Sequence, residues 1–181
     1  MVAGTQRTLP HMKKQTMNRA LPEFLSSIEV RGKAVSNYAK TGCYAGMLIE
    51  KSHLLHVATL FFDNGYFLED VSGVDVLEGI MVVYHFDRYD RSERLTVRVL
   101  TSHDAPSVPS IASIFTGADW HERECFDFFG VIFENHPNLK PLLLPDDLGV
   151  HPLLKETNRQ SIYAVLPFDQ LVDGNINEQP L

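Results

Sequence analysis

Glu122, Arg123, Glu124 and Asp127 stand within six residues of one another, interleaved with Trp120, Phe126, Phe128 and Phe129. Three carboxylates so close could do acid/base work, with His121 or His136 shuttling the proton. Glu124 and Asp127, three apart, could share a helix face. Arg123 and Asp127, four apart, have the spacing of an ion pair in which a planar guanidinium meets a carboxylate. His121 and Cys125 could hold one corner of a metal site, but two further ligands would have to come from elsewhere. A helix with aromatics on several sides must be covered on several sides. Its charges then cannot all face water, and the structural reading is an ion-paired helix packed into a core or a partner.

The rest of the chain adds little catalytic apparatus. It has no Gly-rich phosphate loop, no G-x-S-x-G and no H-E-x-x-H. Two cysteines, Cys43 and Cys125, are too few for a four-cysteine zinc site or an iron–sulfur cluster. Nor can they build a disulfide framework, and free thiols suit a reducing compartment. His103, His136 and His151 read as hydrogen-bonded anchors, the last two fixed just before Pro137 and Pro152. His53 and His56 read as ordinary helix residues.

These groups need elements to carry them. Asp119 is placed to cap a helix over 120–129, with Glu122 at capping-box spacing and Gly130 as the stop. An earlier helix is expected over 52–62, capped by Ser52, striped by Leu54, Leu55, Ala58 and Phe61, and ended at Asn64-Gly65. A short helical piece is expected at 22–28. Strands are expected at 66–71, 79–86 and 94–100. The last two form a hairpin, with an Arg-rich outer face carrying Arg94 and Arg98. Residues 104–110, with Pro106 and Pro109, form an extended connection. A helix followed by antiparallel strands implies an α+β domain: a helix-packed antiparallel or mixed sheet with an irregular C-terminal extension.

The 181 residues are 44% hydrophobic and 22% charged, ordinary for a folded domain, and no run of 18 apolar residues is present to span a membrane. No apolar signal-peptide core follows the start, so secretion is not expected. The net charge of −7 is uneven: residues 1–40 carry +5 and the remainder −12. Such an acidic body disfavours nucleic acid. The organisation expected is a flexible basic arm over 1–20, an α+β domain over 21–133, and a partner-binding segment over 134–181. That last segment is Pro- and His-rich, yet too apolar (Leu139, Leu142, Leu143, Leu144, Leu153, Leu154) for a solvated linker. Pro10 and Pro22 interrupt any presequence-like helix near the start.

The run Glu122-Arg123-Glu124-Cys125-Phe126-Asp127-Phe128-Phe129-Gly130 resembles a family signature, Glu-Arg-Glu-x-aromatic-Asp-x-aromatic-Gly. The family is that of the C subunit of proton-translocating NADH:quinone oxidoreductase, respiratory complex I. The likeness continues through His136-Pro137, Pro145-Asp146-Asp147 and His151-Pro152-Leu153. Upstream it takes in Val71-Ser72-Gly73-Val74-Asp75 and Val83-Tyr84-His85-Phe86, covering roughly 48–156. Leu154-Lys155-Glu156 departs from the family's Arg and Lys-Asp after His-Pro-Leu.

The resemblance implies a peripheral-arm subunit with no redox group of its own, in a hetero-oligomer. Its partners would be the quinone-site subunit and the subunit with the terminal iron–sulfur cluster. Iron–sulfur cluster, flavin and quinone would reside in partner subunits, and the membrane would be touched only through the complex. Glu122, Arg123, Glu124, Asp127, Gly130, His136, Pro137, Pro145, Asp146, His151 and Pro152 would be structural and interface residues, and none a catalyst. The expected place is the cytoplasmic side of the inner membrane, with the mitochondrial matrix side as second choice. The equivalent subunit of an energy-converting nickel–iron hydrogenase or of a ferredoxin-linked relative stays open.

Overall fold

The computed structural model describes residues 21–36, 38–145 and 147–166. The basic arm, Asp146 and the end of the C-terminal segment lie outside the described residues. Five strands form one sheet: β1 (Gly32–Val35), β2 (Ala45–Ile49), β3 (Phe67–Val76), β4 (Gly79–Asp87) and β5 (Leu95–Thr101), in the order β1-β2-β5-β4-β3. β2 and β5 run parallel and every other pair is antiparallel. This is the mixed sheet of an α+β fold, with the expected β4–β5 hairpin in register from Ile80↔Thr101 to Phe86↔Leu95.

β4 is a continuous apolar run because both of its faces are covered. Ile80, Val82, Tyr84 and Phe86 belong to the main core, under α2 (Leu54–Asp63), whose Leu54, Val57, Ala58 and Phe61 are buried. Met81 and Val83 point the other way, into a second cluster closed by Ile162 and Leu166 at α4 (Ile162–Val165). The same return of the chain corrects the expected solvated outer face of β5. Arg98 is only 7% exposed, and its register neighbours Leu48 and Val83 lie in that second cluster. β3 also runs five residues beyond the expected end at Val71. It pairs with β4 to the turn at Leu77–Glu78, although Ser72 and Asp75 interrupt its apolar pattern.

Two helix starts differ from expectation. Ser52 lies inside a 3-10 turn (Lys51–His53), and the residue before α2 makes no side-chain cap. The second helix, α3 (Ala118–Phe129), begins after Gly117, with Asp119 inside its first turn. The capping box does not form because Glu122 turns inward to other partners. Both stops are as expected, with left-handed glycines at Gly65 (φ 75°) and Gly130 (φ 73°). α3 packs on β3, close enough that a Cβ on Gly73 would meet the Phe129 ring at 2.5 Å. Short parallel strands β6 (Ser107–Pro109) and β7 (Ile132–Glu134) flank it. The proline-rich connection therefore ends as a strand.

Candidate functional site

Each charge of α3 has a different neighbour. Glu122 is fully buried; it accepts a hydrogen bond from Ser110 Oγ at 2.6 Å and one from the Ile111 amide at 2.8 Å. Burial raises its pKa to about 7 against these two bonds, and Asp119 pushes in the same direction. Asp127 is 3% exposed, and its Oδ2 accepts from three successive amides: Leu142 and Leu143 at 2.7 Å and Leu144 at 3.3 Å. Arg123 donates from Nε to the Lys140 carbonyl at 3.0 Å and from Nη2 to the Pro141 carbonyl at 2.9 Å, lying 5.8 Å from the Trp120 ring.

The expected Arg123–Asp127 ion pair is therefore not made among the described residues. The physical reason is the loop over 138–145, which has no ladder of its own. Its carbonyls need donors and its amides need acceptors. α3 supplies a guanidinium to the first and a carboxylate to the second. Glu124 and Asp127 do not share an environment either. Glu124 is exposed and lines a cleft of about 160 Å³ with Ser72, Gly73, Phe128 and Leu153, below the size that small-molecule sites usually have.

The histidines fasten the same segment. His136 accepts the Asn138 amide at Nδ1 (3.0 Å), so its proton sits on Nε2, which donates to the Asp119 carbonyl at 3.1 Å. His151 Nδ1 donates to the Asp127 carbonyl at 2.8 Å, and the ring approaches the edge of Phe126. Gly130 makes room for it: a Cβ there would sit 2.7 Å from the His151 ring. Pro137, Pro145 and Pro152 are exposed at the turns; the Pro145 carbonyl accepts from Leu148. No group of three or more His, Cys, Asp or Glu among the described residues could hold a metal ion.

Asp75 is a buried carboxylate that sequence reasoning does not single out. It accepts from the Lys155 amide at 2.7 Å, from Arg159 Nε at 2.9 Å and from His103 Nε2 at 2.7 Å. Burial pushes its carboxyl up, but these partners outweigh that and hold it below the usual range. Its alternation with Val71 and Gly73 is the available signal, since it places Asp75 on a covered face.

Arg123 and Asp127 hold the backbone of 138–145 and His151 fastens the chain that follows, and this part of the chain turns apolar side chains outward. Leu143 is 65% exposed, Val150 60% and Leu153 50%, with Trp120 65% exposed on α3. Chemically this arrangement shapes a surface.

The model of the family described as "Respiratory-chain NADH dehydrogenase, 30 Kd subunit" matches residues 47–162. The chain is 44% identical over 95 residues to the C subunit of NADH-quinone oxidoreductase from Chloroherpeton thalassium, over 51% of this chain but only 40% of that protein. It is 33% identical to the corresponding NADH-quinone oxidoreductase chain of a Roseiflexus species, over 85% of this chain and 93% of that one. The C subunit of the F(420)H(2) dehydrogenase of Methanosarcina mazei is 42% identical over 54% of this chain and 62% of its own length. A chain in the solved membrane-bound sulfane sulfur reductase, an archaeal respiratory membrane complex, shares the fold: TM-score 0.62, 19% identity, 87% of this chain and 94% of that one.

Proposed function

The chain belongs to the family of the 30 kDa subunit of the respiratory-chain NADH dehydrogenase, and from that membership we propose that it serves in the peripheral arm of a complex I-type NADH:quinone oxidoreductase. In this reading it carries no redox group. It holds the quinone-site subunit and the subunit with the terminal iron–sulfur cluster in register, while flavin, clusters and quinone belong to its partners. The observation that carries the reading is the division of labour at α3. Arg123 and Asp127 are turned onto the backbone of 138–145, the loop so fixed exposes Leu143, and Leu153 is exposed further along the same segment. Several exposed apolar side chains on one held segment suit an interaction surface.

A second reading concerns the electron donor. The likeness to an F(420)H(2) dehydrogenase subunit favours the same structural part in an enzyme with another donor, as a nickel–iron hydrogenase or a ferredoxin-linked relative would be. In either reading the chain sits at the cytoplasmic side of the inner membrane through its complex. No helix among the described residues is long and apolar enough to cross a membrane.

Affinity purification from native membranes tests both readings. The expected result is co-purification of a quinone-site subunit and a cluster-bearing subunit, with a flavin/NADH module or a nickel–iron subunit identifying the donor. The chain purified alone should be colourless. Recovery without partners, or stoichiometric iron or flavin on the isolated chain, would contradict the proposal.

A further inference from the structure

Away from α3, strand register sets a row of polar side chains across the other face of the sheet. Asp70 on β3 stands opposite His85 on β4, and His85 opposite Thr96 on β5. Cys43, two residues before β2, completes the row. Thr96 Oγ1 donates to Cys43 Sγ at 3.2 Å, and His85, opposite Thr96 in register, lies beside the same thiol. His85 Nδ1 lies 2.5 Å from Asp70 Oδ1, so the carboxylate orients the imidazole. A thiol, an imidazole that can take its proton and a carboxylate that orients the imidazole are the parts of an activated cysteine. Nothing at α3 uses them.

We propose that Cys43 is a thiolate nucleophile, deprotonated by His85 and oriented through Asp70, and that it is a modification site for small hydroperoxides. The thiolate attacks the terminal peroxide oxygen, forming an S–O bond as the O–O bond breaks. Sulfur is oxidised by two electrons to the sulfenic acid. The leaving hydroxide or alkoxide takes the proton held on His85 and departs as water or alcohol.

The surroundings favour the charged form. Burial pushes the Cys43 thiol up, but the hydrogen bonds from His85 and Thr96 and the charges of His85 and Arg94 outweigh it and hold it below its ordinary value. The bond to Cys43 and the pair with Asp70 raise His85. The charged groups facing this row are Asp70 on β3, His85 on β4, Arg94 just before β5 and Arg98 on β5. Arg94 also pairs with Glu69 and lies 4.0 Å from Asp87. The row opens at its far end, where the His85 and Asp70 side chains are 26% and 45% exposed, while Cys43 itself is 6% exposed. That geometry admits a small oxidant more readily than a bulky electrophile. Cys125 is an internal contrast: buried at 3%, it is pushed up to about 12 by burial and by Glu124 and Glu122.

The test treats the full-length chain with hydrogen peroxide between about pH 5 and about pH 9. Sulfenic acid is trapped with dimedone, and the Cys43 and Cys125 peptides are quantified by mass spectrometry. Cys43 should be labelled roughly tenfold faster or more than Cys125. The midpoint of its rate should lie below that of an ordinary thiol and move upward in folded His85→Asn and Asp70→Asn chains. Ultraviolet titration of the thiolate in the unsubstituted chain reads the same property without a variant. Equal labelling of the two cysteines, an unmoved midpoint in folded His85→Asn, or a thiolate midpoint at or above the ordinary value would each overturn the proposal.

Discussion

Asp127 Oδ2 lies 2.7 Å from the amide nitrogen of Leu142, fifteen residues further along the chain. One turn earlier on the same helix, Arg123 reaches the carbonyls of Lys140 and Pro141. The two opposite charges of α3 thus hold opposite poles of one loop. A charge-assisted bond to backbone is stronger than a neutral one, and it fixes direction as well as distance.

Asp127→Ala leaves three amides without their acceptor and should lower unfolding stability by about 2–4 kcal/mol, water replacing part of the loss at the exposed Leu143. Asp127→Asn keeps an acceptor oxygen without the charge and should cost about half as much. Urea unfolding reads the stability. Limited proteolysis should show faster cleavage within 138–145 than elsewhere.

Arg123→Ala should cost only about 1–2 kcal/mol, because the carbonyls it serves lie on the exposed side of the loop. Losing one member of a buried ion pair would cost about 3–5 kcal/mol. Arg123→Lys should recover part of the loss, since a single ammonium cannot reproduce the two-carbonyl fork. Denaturant midpoints of the two variants separate these cases.

Glu122 gives the stability a pH dependence. Its folded-state value of about 7 lies above its ordinary 4.5, so the folded chain binds the proton more tightly than the unfolded chain. Its contribution is fully present below about pH 4.5 and is lost as pH rises through about 7, on the order of 3 kcal/mol in all. Glu122→Gln can keep both hydrogen bonds and should flatten that part of the profile. A slope unchanged by the substitution, in unfolding measured from about pH 5 to about pH 8, would assign it to other groups.

The signature helix and its stop at Gly130 are legible in the sequence because aromatic density, charge and a left-handed glycine are local properties. The partners of its charges are not. Spacing says that Arg123 and Asp127 can meet, but only the folded loop shows that backbone competes for both. Glu122 reads as a capping residue for the same reason: Ser110 and Ile111 come to it from a different element. Arg98 reads as solvated from strand alternation, and the return of the chain at Ile162 and Leu166, far away in sequence, covers that face. Cys43, His85, Thr96 and Asp70 share no local pattern; strand register alone brings them into one row.

The most direct measurement of the central claim uses the exposed apolar side chains rather than the charges that hold them. Leu143→Glu combined with Leu153→Glu changes surface positions and should leave thermal unfolding of the isolated chain within about 1 kcal/mol of the parent. In native membranes, the intact complex on a native gel is compared with quinone reductase activity per assembled complex. The scaffolding account predicts loss of assembled complex with normal activity in whatever assembles. Normal assembly with activity reduced about a hundredfold, the scale of a lost acid or base, would contradict it and make this region part of a catalytic site.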